Sequence, residues 1–419
     1  MRSHHRAAVV TVICACAAAA ALTAQTAVPR AGASTAGQVA PRPKAQAPTV
    51  KVFTPPDFWG SYAIWGATGN DKRGHVWVGV TSNDEGGSGS AHLWEFDPDA
   101  GAFAHRGNVV AELERLRLRR PRETQMKIHS RIIEAQDGYL YFSSMDESGE
   151  ADDGSKLPTW GGHLWRLRSP GRWEHLAATP EALIAVATAG PYVYAEGYFH
   201  HVLYQFDTGT RKMRSITVGS AGGHVSRNFF VDARGHAFVA RVTEVGKKLS
   251  AFLVEYDPNL TELGASPLAE YFEKGRDDSH GIVSVSPGPD GSWYFATGKG
   301  RLYQMVPAAS GSGPATVTDL GWFHPAGSRY VASMFRDEQS GVLYGAAMPS
   351  NYGGQQFDWV RRVPNGPATA ATFPYGEATQ FPGGALVYGS MTHDNAGRFY
   401  VAGTMNYKPF VLQVTPPPS

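Results

Sequence analysis

The chain has 419 residues, and 38 basic against 37 acidic side chains leave a net charge of +1. That balance, with only 18% charged residues, excludes a nucleic-acid binder working through bulk charge and an acidic disordered tail. The 42% hydrophobic content, with 10 Trp, 18 Tyr and 20 Phe, is enough for a large core, while 48 Gly and 28 Pro exclude a helical bundle.

In chain order, Arg2, His4, His5 and Arg6 precede an apolar run from Ala7 to Leu22, and small residues follow as far as Ala27. A basic start, a short apolar stretch and small exit residues predict a secretory signal peptide over residues 1–27, cleaved after Ala24 or Ala27. A membrane anchor fits less well, because the run is short and no later one is long enough to span. Lipidation of Cys16 after Ala15 would cut the apolar region in half. Both cysteines, Cys14 and Cys16, fall in this segment, so the expected mature protein has no disulfide, thiol nucleophile or cysteine metal site. Residues 28–49, rich in Ala and Pro, predict a flexible tether. The expected product is secreted (extracellular), monomeric, and free of membrane and nucleic acid.

A recurring unit organises the remainder, residues 50–419. Its copies open as Gly74-His-Val-Trp-Val-Gly, Gly138-Tyr-Leu-Tyr-Phe-Ser, Gly190-Pro-Tyr-Val-Tyr-Ala and Gly235-His-Ala-Phe-Val-Ala. Gly291-Ser-Trp-Tyr-Phe-Ala, Gly341-Val-Leu-Tyr-Gly-Ala and Gly397-Arg-Phe-Tyr-Val-Ala follow. Partner strands such as His92-Leu-Trp-Glu-Phe-Asp and Val202-Leu-Tyr-Gln-Phe-Asp accompany them. Short aromatic strands repeating at a spacing of roughly 50 residues predict an all-β, seven-bladed β-propeller in one domain. The last blade has room for Phe410–Val414 but lacks an outer strand, and Val50–Thr54 is a spare one. It is expected to complete blade seven, since an open ring would leave a sheet edge unpaired.

In such a meander, the starts of the innermost strands and the loops between second and third strands share one face. The strand starts there are Tyr62, Lys127 with His129, Glu181, His224 with Arg227, His280 and Arg329. The loops add the insertion Met145–Gly162, the run Tyr198-Phe-His200-His201, Lys299, Asn351-Tyr352 and Asn406-Tyr407. His75, His92, His105 and His236 sit at other strand starts and need no functional role. The run Arg115–Arg122 reads as a solvated strand or turn leading toward this face, where it could hold a polyanion. No paired-carboxylate motif of the glycosidase kind is evident, nor a serine-hydrolase elbow in a strand–turn–helix context.

Each candidate also has a structural reading: a packed inner-strand histidine for His129, a strand opener for His163, a turn aromatic for Tyr198, an ion-pair partner for Arg227. Histidine, tyrosine and arginine together suit lytic cleavage of a uronic-acid glycan. Arginine or protonated histidine neutralises the carboxylate and makes the C5 proton removable. Neutral histidine or a tyrosinate favoured by neighbouring arginine then takes the proton, and a tyrosine or second histidine protonates the leaving oxygen. The residues leave open which group is base and which is acid. Lys127, His200, His201, His224, His280, Arg329 and Tyr352 are the expected substrate contacts.

The set Lys127-Ile-His-Ser130, Asp137-Gly-Tyr-Leu-Tyr-Phe, Gly162-His-Leu-Trp, Tyr198 and Ser226-Arg-Asn resembles the secreted seven-bladed propeller polysaccharide lyases. These are the ulvan lyases and the related rhamnose–glucuronate lyases acting on gum-arabic-type glycans. The resemblance implies an active site at His129, His163, Tyr198 and Arg227, with an anionic polysaccharide as partner. The insertion Asp146–Asp153 stretches the spacing of the two histidines, and His200, His201 and Arg214 are local substitutes. No cofactor is required. A structural calcium or other divalent metal is also implied, for which Asp146, Glu147, Asp152 and Asp153 are the available carboxylates. Two other classes remain open: a metal-dependent propeller lactonase or streptogramin-type lyase, marked by EDTA sensitivity, and a non-catalytic glycan- or protein-binding propeller.

Overall fold

The structure is a computed structural model and describes residues 47–82, 89–221, 226–272, 281–309, 313–349, 357–372, 385–388, 390 and 392–417. The chain divides into two units, Met1–Pro43 and Lys44–Ser419, and the second contains every described residue. The expected signal peptide and most of the tether therefore lie outside them.

Gly and Asp turns break the sequence into short strands, and these pair with their chain neighbours into seven antiparallel sheets arranged as blades in a ring. Blade 3 shows the repeat most plainly, with Leu183–Ala189, Tyr192–Gly197, Val202–Asp207 and Lys212–Thr217 in order from the axis outward. Each second strand carries the aromatic run read from the sequence, as in Val76–Ser82, Leu140–Asp146 and Phe399–Met405. Among the described residues, no helix is long and apolar enough to cross a membrane.

Alternation along each strand places apolar side chains on both faces of a blade, so each blade must cover its neighbours. Seven apolar clusters result, one at each blade-to-blade interface. One joins Phe142, Trp165 and Trp173 of blade 2 to Trp77 and Leu93 of blade 1. Another joins Phe96 and Val78 of blade 1 to Tyr400 and Val411 of blade 7, and so carries the ring closure.

The expected closing strand is present. Thr49–Phe53 runs antiparallel to the last strand, in register from Thr49 opposite Thr415 to Phe53 opposite Val411. Blade seven is thus built from both ends of the propeller.

The basic run is largely the solvated turn expected, with only Arg115 in a helix. Val109–Arg115 is a short helix capped by Asn108, and the arginines that end and follow it are taken up locally. Arg115 pairs with Glu112 at 2.8 Å, Arg119 with Glu114, and Arg120 with Glu123 at 2.7 Å. Helical i, i+3 spacing brings Glu112 to Arg115, and the turn after the helix brings Arg119 back to Glu114 and Arg120 to Glu123.

Candidate functional site

Three consecutive blades, 7, 1 and 2, have interrupted innermost strands. The breaks fall between Ala385–Val387 and Thr392–His393, between Ser61–Ala63 and Thr68–Asn70, and between Lys127–Ile128 and Ile133–Glu134. Among the residues of these breaks are Tyr388, Trp65 and His129, respectively. Interrupted pairing of this kind re-aims side chains and is over-represented beside active sites. The breaks are tied to neighbouring strands, with Tyr388 N–H donating to Ala402 O at 2.9 Å and Ile64 N–H to Gly403 O at 3.2 Å. Gly66 lies so close to blade 2 that an added Cβ would sit 2.1 Å from the His129 carbonyl oxygen. Only glycine fits there.

His129 is buried, and its Nδ1 has no hydrogen-bond partner among the described residues. Burial, reinforced by the charges of Arg227 and Lys127, holds its pKa well below 6.5, so the imidazole is neutral at pH 7. Arg227 enters from blade 4, fixed by its N–H donating to Ile282 O at 2.9 Å. Its guanidinium lies over the Tyr388 ring at 5.3 Å. Burial works against its charge, but Tyr330, Tyr198, Tyr388 and Glu147 hold its pKa above the ordinary arginine value. Tyr198 N–H donates to Ala182 O at 2.8 Å, and its ring packs on Phe199 at 4.0 Å. Burial pushes the Tyr198 phenol far up despite the lowering effect of Arg227. The expectation that arginine would make Tyr198 a tyrosinate is therefore corrected: desolvation outweighs the neighbouring charge, and the phenol keeps its proton.

Three of the four expected catalytic residues thus share one electrostatic cluster at the mouth of the ring. His163 does not join it. It lies on Gly161–Ser169, the third strand of blade 2, with Nδ1 bonded to His175 Nε2 at 2.9 Å and Nε2 to Glu123 at 3.0 Å. Burial works against the Glu123 charge, but hydrogen bonds from His163 and Arg120 hold its carboxyl at about 2. His163 is a satisfied histidine between strands.

Among the substrate contacts, Lys127 pairs with Glu147 and lies 5.6 Å over the Trp65 ring. His200 is exposed, and its Nδ1 bonds to Gly154 O at 3.0 Å. His201 is buried, and its Nε2 accepts the Ser226 N–H at 3.3 Å, which braces the segment leading to Arg227. Arg329 is half-buried, donating to Ser328 O at 3.0 Å. Arg214 is directed elsewhere, to Gln205 and Pro258 O. His224, His280 and Tyr352 lie outside the described residues.

Sequence reading missed Trp65, Tyr330, Tyr388 and Arg131. Arg131, two residues beyond His129, faces the channel with Asn228, Ser284, Ser333 and Ser390. The aromatic–glycine pair Trp65-Gly66 was the available signal, marking backbone that passes close to another strand.

The four carboxylates considered for calcium do not assemble. Asp146 accepts from Thr124 and from Ser148 N–H at 2.8 Å, Glu147 pairs with Lys127, Asp153 accepts from Ser155, and Asp152 is exposed. Among the described residues, Asp71, His75 and Glu95 do bring ligand atoms within 4.8 Å of one another. Arg73 occupies that group, bonding both Asp71 and Glu95. Blade 4 repeats the arrangement with Asp232, Arg234, His236 and Glu255. A guanidinium in both copies marks a blade-stabilising network, not a metal centre.

Beneath the mouth lie buried carboxyls. Burial pushes Glu181 to about 7, and burial together with Glu181 lifts Glu196 well above 4.5. Glu150, facing Glu181 from the insertion, is raised by burial to about 8. Neither Glu196 oxygen has a partner among the described residues. Raised carboxyls contribute stability fully below about 4.5, the unfolded value, and lose it as pH rises through their folded values. Replacing Glu196 by Gln is therefore expected to stabilise the protein by about 1–3 kcal/mol at pH 8.5 and far less at pH 5. Urea unfolding at both pH values measures this, and an equal effect at both would refute it.

The fold and mouth define a seven-bladed propeller with a cationic, aromatic-lined opening. No family profile and no curated protein matches the sequence. Among solved structures, it is similar to the extracellular domain of the hybrid two-component system BT4673 from B. thetaiotaomicron, at 12% identity and a TM-score of 0.54, covering 88% of this chain and 40% of that one. A protein of unknown function from Dyadobacter fermentans DSM 18053 aligns at 11% identity and a TM-score of 0.49, covering 90% of this chain and 100% of that one. A luciferin-regenerating enzyme aligns at 11% identity and a TM-score of 0.43, covering 88% and 95%. The chain spans 40% of the length of the BT4673 chain. At these identities the likeness concerns the fold alone.

Proposed function

We propose that the protein is a secreted polysaccharide lyase cleaving a uronic-acid-containing glycan by β-elimination. The observation that carries this reading is a neutral, buried His129, whose Nδ1 has no hydrogen-bond partner among the described residues, in one electrostatic cluster with the Arg227 cation and a protonated Tyr198. Arg227 holds the substrate carboxylate and lowers the cost of charge building at C5. His129 Nδ1 takes the C5 proton. The C4–O4 bond breaks as the C4=C5 double bond forms, and the Tyr198 hydroxyl protonates the departing O4. The proton balance closes between His129 and Tyr198.

The test is incubation with ulvan, gum arabic and pectin, following the ultraviolet absorbance of the unsaturated uronate. Signal on any of them supports the lyase. Retained binding with no unsaturated product supports the second reading, a non-catalytic glycan-binding propeller, which the burial of Tyr198 and His129 favours.

A further inference from the structure

An unbroken line of aromatic rings runs from the rim to the proposed catalytic cluster. Tyr407 stands 5.5 Å from Tyr62, Tyr62 5.8 Å from Trp65, and Trp65 4.9 Å from Tyr388, centroid to centroid. Tyr388 in turn lies under Arg227 and 6.2 Å from Tyr330. The rings come from blades 7 and 1, two of the three blades whose inner strands are interrupted, and from the hairpin loop between Phe399–Met405 and Lys408–Thr415.

The outer end is built against local preference. Met405 pairs with Lys408, so Asn406 and Tyr407 form a two-residue hairpin loop with φ of 48° and 61°. Such a loop favours Asn then Gly, and a bulky side chain in the left-handed region at the second position is an outlier. Tyr407 nonetheless holds that place, 72% exposed. An exposed aromatic kept where glycine suits the backbone serves something outside the fold. Trp59, 84% exposed, stands in the connection that enters Ser61–Ala63.

Resting on the glycan reading, we infer that Tyr407, Tyr62 and Trp65, backed by the buried Tyr388, form a stacking track for consecutive sugar rings of a uronate polysaccharide. The chain lies from the blade 7–blade 1 rim inward, with an acidic sugar at Arg227. Sugar C–H faces pack against aromatic faces without demanding one ring identity. At the inner end cations cover the rings themselves, Arg227 over Tyr388 and Lys127 over Trp65, whereas Lys408 at the outer end is paired with Asp57. The outer rings therefore serve chain length, and the inner end serves the carboxylate.

Tyr407→Gly tests this, because glycine suits the turn and spares the fold. Affinity electrophoresis through gels containing ulvan or gum arabic is compared with calorimetry on a glucuronate-containing disaccharide. The expected result is about 2- to 12-fold weaker retardation by polysaccharide, with disaccharide binding and Tm unchanged. Polysaccharide binding equal to that of the unsubstituted protein overturns the track, as does an equal loss for the disaccharide. Failure of the unsubstituted protein to bind any of these glycans overturns the track and the glycan reading together. Binding that depends on Tyr407 without unsaturated product removes the lyase reading alone and leaves the track standing.

Discussion

Replacing His129 with alanine is expected to slow formation of unsaturated product by about 10²- to 10⁴-fold, the usual contribution of a positioned general base. Nδ1 has no partner among the described residues, so the substitution orphans no donor or acceptor at that atom. The substitution also empties a buried site and gives up the hydrogen bond to the Ile184 backbone, so a lower melting temperature accompanies the rate loss and the rates are compared where both proteins are folded. Arg227→Met should be at least as damaging, because the carboxylate charge would then oppose carbanion formation. The pH profile discriminates further. His129 is depressed by burial and adjacent cations, so it stays deprotonated and competent well below pH 6.5. Tyr198 is raised by burial, so it keeps its proton past pH 10. The rate should show a broad plateau through neutrality instead of a narrow bell. In linkage terms, a depressed histidine contributes stability fully above about 6.5 and loses it as pH falls through the folded value. His92 and His175, both lowered to about 4 by burial, add to that acid-side loss. A full rate in His129→Ala on a confirmed substrate would remove this residue from the chemistry.

The propeller was legible because its signal is local and repeated. Each second strand announces itself as glycine followed by alternating aromatic and small residues, and the blade lacking an outer strand pointed to Val50–Thr54, found as Thr49–Phe53. The site was half legible. His129 on an inner strand and His163 opening a strand after Gly161-Gly162 were both read onto one face, and sequence does not show that the His163 ring is held between His175 and Glu123. Nor could residue order reveal that three neighbouring inner strands are interrupted, since that depends on the packing of Gly66 against His129 across a blade interface. The roles of acid and base depend on desolvation. The same Arg227 charge depresses His129, where it acts with burial, and is overruled by burial at Tyr198.

Removing residues 49–53 is expected to cost more stability than any single substitution considered above. The strand supplies the outermost ladder of blade seven over five facing pairs, and at about 0.5–1.5 kcal/mol per hydrogen bond the ladder alone contributes several kcal/mol. It also fastens two interfaces. Phe53 packs on Phe96 at 4.7 Å within the blade 7–blade 1 cluster, and Val50 packs on the blade 6–blade 7 cluster. Its loss would leave the Lys408–Thr415 edge unpaired and weaken the contact that keeps the first and last blades together. A fall in Tm of roughly 10 °C or more is expected, together with faster hydrogen exchange at Val411–Val414 and concentration-dependent aggregation. A peptide spanning residues 47–55 should restore much of the lost Tm by adding back the strand, as edge-completing peptides do. An unchanged Tm with protected amides along Lys408–Thr415 would mean that the interfaces of blade seven hold the ring shut without it.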